Sequence, residues 1–243
     1  MKFIQNNSIS KVKVTLVCCV HGNEKFGKKV FDYFLLKLEK FPGLSLLLAN
    51  EEAMKINRRF VDIDLNRSFT SHKNSKLHEA VLAEKIKKVI DPHSIIIDIH
   101  TTKTRLKAIS IVTNLTTDTK KILKVVPYKE VAYMKQGFGS LISQYQSAVS
   151  LEYNRDYVKQ KAVLKKLEVI VTSLLDNKND HHRYKTIYKS IGILPLGIKI
   201  PKKPKDFYHL AERDTYVLFP RHRAVKGFKG FEMKKVSNHL YLK

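Results

Sequence analysis

Val12-Lys13-Val14-Thr15-Leu16-Val17-Cys18-Cys19-Val20-His21-Gly22-Asn23-Glu24 decides how this chain is read. The first nine residues are rich in β-branched side chains and mostly apolar, as in a strand covered on both faces. The strand ends at His21-Gly22, and a helix can start near Glu24. A second apolar run, Ser94-Ile95-Ile96-Ile97-Asp98-Ile99, delivers His100 at its end. In open α/β sheets, ligands sit beyond the carboxyl ends of the strands. Two imidazoles and a carboxylate presented there form the ligand set of a catalytic zinc site, which leaves a fourth position open for water. His21 and Glu24 are three apart, so one turn brings them to the same side. Asp98 and His100 share a face of their strand, and Asp98 can orient the imidazole.

Working outward, the stripe Val30, Phe31, Phe34, Leu35 and Leu38 predicts a helix after His21-Gly22. Pro42-Gly43 turns the chain into a strand over Leu44–Ala49. A polar segment from Asn50 to Thr70 follows. Lys76–Ile90 reads as a helix with Leu77, Val81, Ile86 and Val89 as its main apolar positions, stopped at Asp91-Pro92. Ala108–Thr113 and Ala148–Leu151 read as short strands. Asp156–Asp176 reads as a long helix with Val163, Leu167, Ile170 and Leu174 in register. Alternating strands and helices predict an α/β fold, a mixed and mostly parallel sheet flanked by helices. The pattern changes near residue 177. Lys178–Arg183 reads as a polar linker, and Ile191–Ile200 and Tyr216–Phe219 are short β-like runs among prolines. The expected division is a catalytic domain over 1–177 and a small β-rich domain over 178–243.

The charge is strongly basic: 46 Lys+Arg against 22 Asp+Glu gives +24. Such a balance attracts nucleic acid, membrane surfaces or small anions. The lysines are scattered, and no zinc finger, aromatic RNA-binding motif or helix-turn-helix signature accompanies them, so a nucleic-acid partner rests on charge alone. The only two cysteines, Cys18 and Cys19, are adjacent in the strand and form no disulfide framework. They read as small buried hydrophobes, with a thiol near the metal as the other reading. The N-terminal stretch Met1–Ser8 lacks the apolar core of a signal peptide and no apolar stretch has the length of a membrane span, so no membrane partner and a cytoplasmic location are expected. Nothing in the sequence sets an oligomeric state.

Two further features bear on chemistry. Asn57-Arg58-Arg59-Phe60-Val61-Asp62-Ile63-Asp64-Leu65-Asn66-Arg67-Ser68-Phe69 lacks regular periodicity and is rich in rigid donors. Arginine grips carboxylates in two-pronged fashion and can polarise a carbonyl. A solvated loop of local ion pairs is the alternative. Glu152 ends the run Ala148-Val149-Ser150-Leu151, where a base could face a metal site; from spacing alone an exposed strand-end glutamate fits better.

Together these segments resemble the aspartoacylase/succinylglutamate desuccinylase family, a branch of the zinc-carboxypeptidase-like enzymes. The matches are His21-Gly22-Asn23-Glu24, Arg59-x-x-Asp62-x-Asp64-Leu65-Asn66-Arg67-x-Phe69, Asp98-Ile99-His100 and Glu152, in order over roughly residues 12–175. The resemblance implies zinc held by His21, Glu24 and His100. It implies Glu152 as the base that activates water and then protonates the leaving amine. Arg59 matches the arginine that polarises the scissile carbonyl, and Asn66 and Arg67 match the pair that holds a substrate carboxylate. The implied activity is hydrolysis of the amide bond of a small anionic N-acyl amino acid. A metallocarboxypeptidase acting on peptides and a degenerate, non-catalytic family member are the alternatives. The chain departs from the family where Cys18-Cys19-Val20 precede the His-Gly pair and where Tyr153 follows the base. It has no arginine over Leu141–Gln146 and no clear match for the family's late tyrosine near Ala224–Phe231. The resemblance therefore implies the hydrolytic core without the substrate.

Overall fold

A computed structural model describes residues 1–6, 8–71, 75–135, 139–178, 184–202, 204–220 and 228–241. Most of the polar linker 178–183, and the stretch 224–227 of the late-tyrosine window, lie outside the described residues. The strands are β1 (Lys2–Gln5), β2 (Val14–Cys18), β3 (Leu44–Leu48), β4 (Ile95–Thr102), β5 (Ala108–Val112), β6 (Glu130–Tyr133), β7 (Ala148–Asn154), β8 (Tyr184–Ile193), β9 (Tyr208–Leu210), β10 (Thr215–Leu218) and β11 (Phe231–Tyr241). The helices are α1 (Lys25–Leu35), α2 (Glu51–Lys55), α3 (Ser68–Ser71), α4 (His78–Val89), α5 (Thr117–Val125) and α6 (Ala162–Leu175).

All the strands join one mixed sheet in the order β1-β3-β2-β4-β7-β5-β6-β8-β11-β10-β9. Its centre, β3-β2-β4-β7, is parallel throughout, as the apolar runs predict. Val14–Cys18 is buried along its whole length because helices cover both faces. One face packs Leu16, Ile97 and Leu151 against Phe31, Phe34, Ile122 and Leu167 of α1, α5 and α6. The other packs Val17, Ile96 and Ala148 against Leu82, Ala83 and Ile86 of α4, with Leu65, Phe69 and Leu141. Strand side chains alternate between faces, so Asp98, His100 and Glu152 share the second face with Ile96 and Ala148.

The C-terminal β-rich part, β8 to β11, extends the same sheet. β8 pairs parallel with β6, and the strands beyond it are antiparallel. Buried Asp206 accepts from Phe219 N at 2.8 Å and reaches the Thr104 side chain and the Arg105 backbone, tying this part to the loop after β4. Among the described residues, no helix is long and apolar enough to cross a membrane.

Several elements differ from the sequence reading. The segment 50–70 holds α2, capped by Asn50, whose side chain accepts from Ala53 N. The helix read from Asp156 begins with a short 3-10 turn at Tyr157–Lys159 before α6 starts. In α4 the buried positions are Glu79, Ala80, Leu82, Ala83 and Ile86. Leu77 and Val81, read as core, are 38% and 41% exposed. The helix is rotated so that a carboxylate, Glu79, lies in its buried stripe.

Candidate metal centre

The site begins where β2 stops. Cys19 turns the chain with φ of 57°, a left-handed conformation that costs a non-glycine residue about 1–2 kcal/mol. The turn sends His21 across the end of β2 toward β4, and the two imidazoles come to lie with ring centroids 4.8 Å apart. Gly22 follows because nothing larger fits: a Cβ there would run into the Ala53 carbonyl carbon and Met54 N of α2. Gly22 N donates to Arg59 O at 3.1 Å, which stitches the arginine loop to the His-Gly corner. Both cysteines are buried and free. Cys19 Sγ lies 3.7 Å from Glu24 O, and burial pushes its thiol up to about 12, so it serves as a packed neutral group.

Ligand atoms of His21, Glu24 and His100 all lie within 4.8 Å of one another, and all three residues are buried. His21 Nδ1 is 2.7 Å from Glu24 Oε1, and His100 Nδ1 is 3.3 Å from Glu24 Oε2. Each Nε2 is held elsewhere. That of His21 is 3.1 Å from Asp64 Oδ1, and that of His100 is 2.8 Å from Asp98 Oδ2. A carboxylate on Nε2 fixes the ring and the tautomer, leaving Nδ1 as the donor toward an ion. His100 Nδ1 is buried and makes no hydrogen bond, its contact with Glu24 being one of distance only. An orphaned buried nitrogen beside an imidazole and a carboxylate is the signature of a group waiting for a cation, and the set of two nitrogens and one oxygen suits zinc. Thr101 N donates to Glu24 Oε2 at 2.6 Å and fixes the carboxylate.

The electrostatics agree. Burial works against the charged Glu24 carboxyl, yet the His100 and His21 rings beside it hold it well below the usual carboxylate range. Burial opposes a proton on His100, but Asp98 and Glu24 raise its pKa well above the ordinary value. Burial also opposes the charge of Asp64, and His21 and Arg59 outweigh it. A bound cation would take the place of the proton that Asp98 and Glu24 favour on the His100 ring.

Arg59 donates from Nε and Nη2 to Asp64 Oδ2 at 3.1 and 2.9 Å. Asp64 thus joins the guanidinium to the His21 ring. Asn66 accepts from Leu141 N at 3.1 Å, and its amide nitrogen lies 3.3 Å from His100 Nε2. Arg67 is exposed and donates from Nη1 to Asn66 O at 2.8 Å. Glu152 pairs with His100 across β4 and β7, on the same face; burial pushes its carboxyl up to about 7. The sheet and loop thus bring His21, Glu24, His100, Arg59 and Asn66 into one network through Asp64 and the two imidazoles, with Glu152 in register beside His100 and Arg67 exposed next to Asn66. The sequence reading missed Glu79, whose signal was its place in the stripe Glu79, Leu82, Ala83, Ile86, Ile90.

An α/β sheet with a His-Glu-His cluster at the carboxyl ends of β2 and β4 defines a class of candidate metal-dependent proteins. The sequence model of the succinylglutamate desuccinylase/aspartoacylase catalytic domain matches residues 10–164, and the chain belongs to this family. A probable aspartoacylase from Trichodesmium erythraeum (strain IMS101) is 30% identical over 119 residues, which is 42% of this chain and 39% of that protein. The chain thus matches well under half the length of that relative. Among solved structures, a variant of murine aminoacylase 3 superposes with a TM-score of 0.72 at 17% identity, covering 95% of this chain and 96% of that one. The succinylglutamate desuccinylase from Chromobacterium violaceum gives a TM-score of 0.73 at 18% identity, covering 94% and 86%. At these identities the likenesses establish the fold.

Proposed function

We propose that the chain is a zinc-dependent hydrolase that cleaves the amide bond of a small N-acyl amino acid or a related carboxylate-bearing compound. The observation that carries this reading is the convergence of two imidazole Nδ1 atoms on Glu24, each ring anchored through Nε2 by a carboxylate. Membership of a deacylase family supports it. His21, Glu24 and His100 would hold the ion. Lewis-acid chemistry, lowering the pKa of a water and polarising a carbonyl, is what zinc supplies when bound.

The chain's own residues do the rest. Glu152, on the strand beside His100, takes the proton of the attacking water and returns it to the leaving amine. Arg59, steadied by Asp64, offers a fixed positive charge where negative charge develops on the carbonyl oxygen. Asn66 and Arg67 hold the substrate carboxylate, and the net charge of +24 draws anions toward it. We assign 1–177 to the hydrolase core and the strands β8 to β11 to the smaller β-rich part that follows it.

The test uses the Glu152→Gln variant with a panel of N-acyl amino acids and short peptides. Release of free amino acid from the former by the unaltered protein supports the reading, and release from peptide C-termini alone would make the chain a carboxypeptidase. The variant should lose about 10²- to 10⁴-fold in turnover while its zinc content stays that of the unaltered protein. Undiminished turnover would remove Glu152 from the role of base.

A further inference from the structure

Glu79 is a carboxylate with no solvent exposure, set in the first turn of α4 on the face that packs against the sheet. Among the described residues, no basic side chain pairs with it. Four N–H donors do so instead: Val61 N at 2.6 Å and Asn50 Nδ2 at 2.9 Å on Oε1, with Asp62 N at 3.0 Å and Ile63 N at 3.1 Å on Oε2. The clamp is reciprocal, because His78 N donates to Asp62 Oδ2 at 2.7 Å. Three successive backbone amides are thereby fixed between Arg59 and Asp64, on a segment that has neither helix nor strand. Asn50 accepts from Ala53 N in turn and caps the helix on which Gly22 rests. The orientation of Asp64, and with it the hold on His21 Nε2 and on Arg59, thus begins at Glu79.

We propose that Glu79 is the positioning residue of the metal centre, acting on the ion through Asp64 and His21 rather than by touching it. The inference rests on the zinc reading given above. A carboxylate is the side chain that suits the task. Its two oxygens accept from four donors at once, and a glutamine would turn an NH2 group toward backbone N–H groups. Supporting groups behind metal ligands change affinity by roughly 10- to 100-fold when removed.

The experiment measures zinc affinity by chelator competition for the unaltered chain, Glu79→Gln, Asp64→Asn and the double variant, with thermal unfolding of each. Glu79→Gln should weaken zinc binding by about tenfold or more. The double variant should bind no more than about threefold more weakly than Asp64→Asn, because both changes break one linkage. A residue that merely stabilises the fold would lower Tm and leave zinc affinity alone, or give effects that multiply; either result overturns the proposal. Should Glu79→Gln not fold, Glu79→Asp replaces it in the same cycle, keeping the charge but falling short of the loop. An unaltered chain that binds no zinc would overturn the metal reading itself, and this appears before any variant is compared.

Discussion

Asp64 gives one oxygen to His21 and the other to Arg59, so the imidazole that would hold the ion and the guanidinium that would meet the carbonyl share one support. Behind it stands Glu79, whose charged form is opposed by burial but favoured more strongly by the backbone N–H of Val61, the Asn50 amide and the next two backbone groups, so that its pKa is lowered. The consequence for stability has a definite sign. A carboxyl whose folded pKa is depressed contributes stability that is present above its unfolded pKa, about 4.3, and lost as pH falls through the folded value. Thermal unfolding of Glu79→Gln and of the unaltered chain should therefore differ most near pH 7 and converge below about pH 4. A gap that is constant across this range would contradict the assignment of charge to Glu79. At this scale the cluster of His21, Glu24 and His100 was legible in the sequence because each lies in a short contiguous motif at a strand end. Glu79 was not legible, because a search for apolar residues at helical spacing passes over the carboxylate that completes the stripe.

Among the elements, α2 shows how the site depends on close approach. It is five residues long and sits on Gly22 with no room for a side chain between them. Gly22→Ala should force α2 and the Arg59 loop away from the His21 corner. The expected cost is about 1–3 kcal/mol, as for overpacking elsewhere, read as a lower urea midpoint together with weaker zinc binding. A variant with an unchanged midpoint would show that the corner yields freely. So short a helix leaves little periodicity in the sequence, and its stability comes from the Asn50 cap and from packing. The apolar runs of β2, β3, β4 and β7 were legible because a parallel strand buried on both faces is apolar throughout. The C-terminal strands were harder to read. β11 carries Glu232, Lys234 and Lys235 among its apolar residues, and β9 is three residues long. The rotation of α4 was hidden for the same reason as Glu79: two alanines and a carboxylate, rather than Leu77 and Val81, face inward.

At the scale of the whole molecule, one sheet carries everything. Its parallel centre brings the ends of β2, β4 and β7 side by side, which places His21, His100 and Glu152 on one edge of the core. The segment 57–66 is tied to that edge through Arg59 O to Gly22 N, Asp64 to His21 and Asn66 to His100, and the C-terminal strands continue the sheet beyond β6. The fold likeness to aminoacylase 3 and to a succinylglutamate desuccinylase spans nearly the whole chain. The most direct test of the central claim is hydrolysis of an N-acyl amino acid panel by the full chain before chelator stripping, after it, and after zinc is returned. Activity should disappear on stripping and return in full at one zinc per chain. Hydrolysis that persists in the stripped protein, or a chain that takes up no zinc at this site, would contradict it.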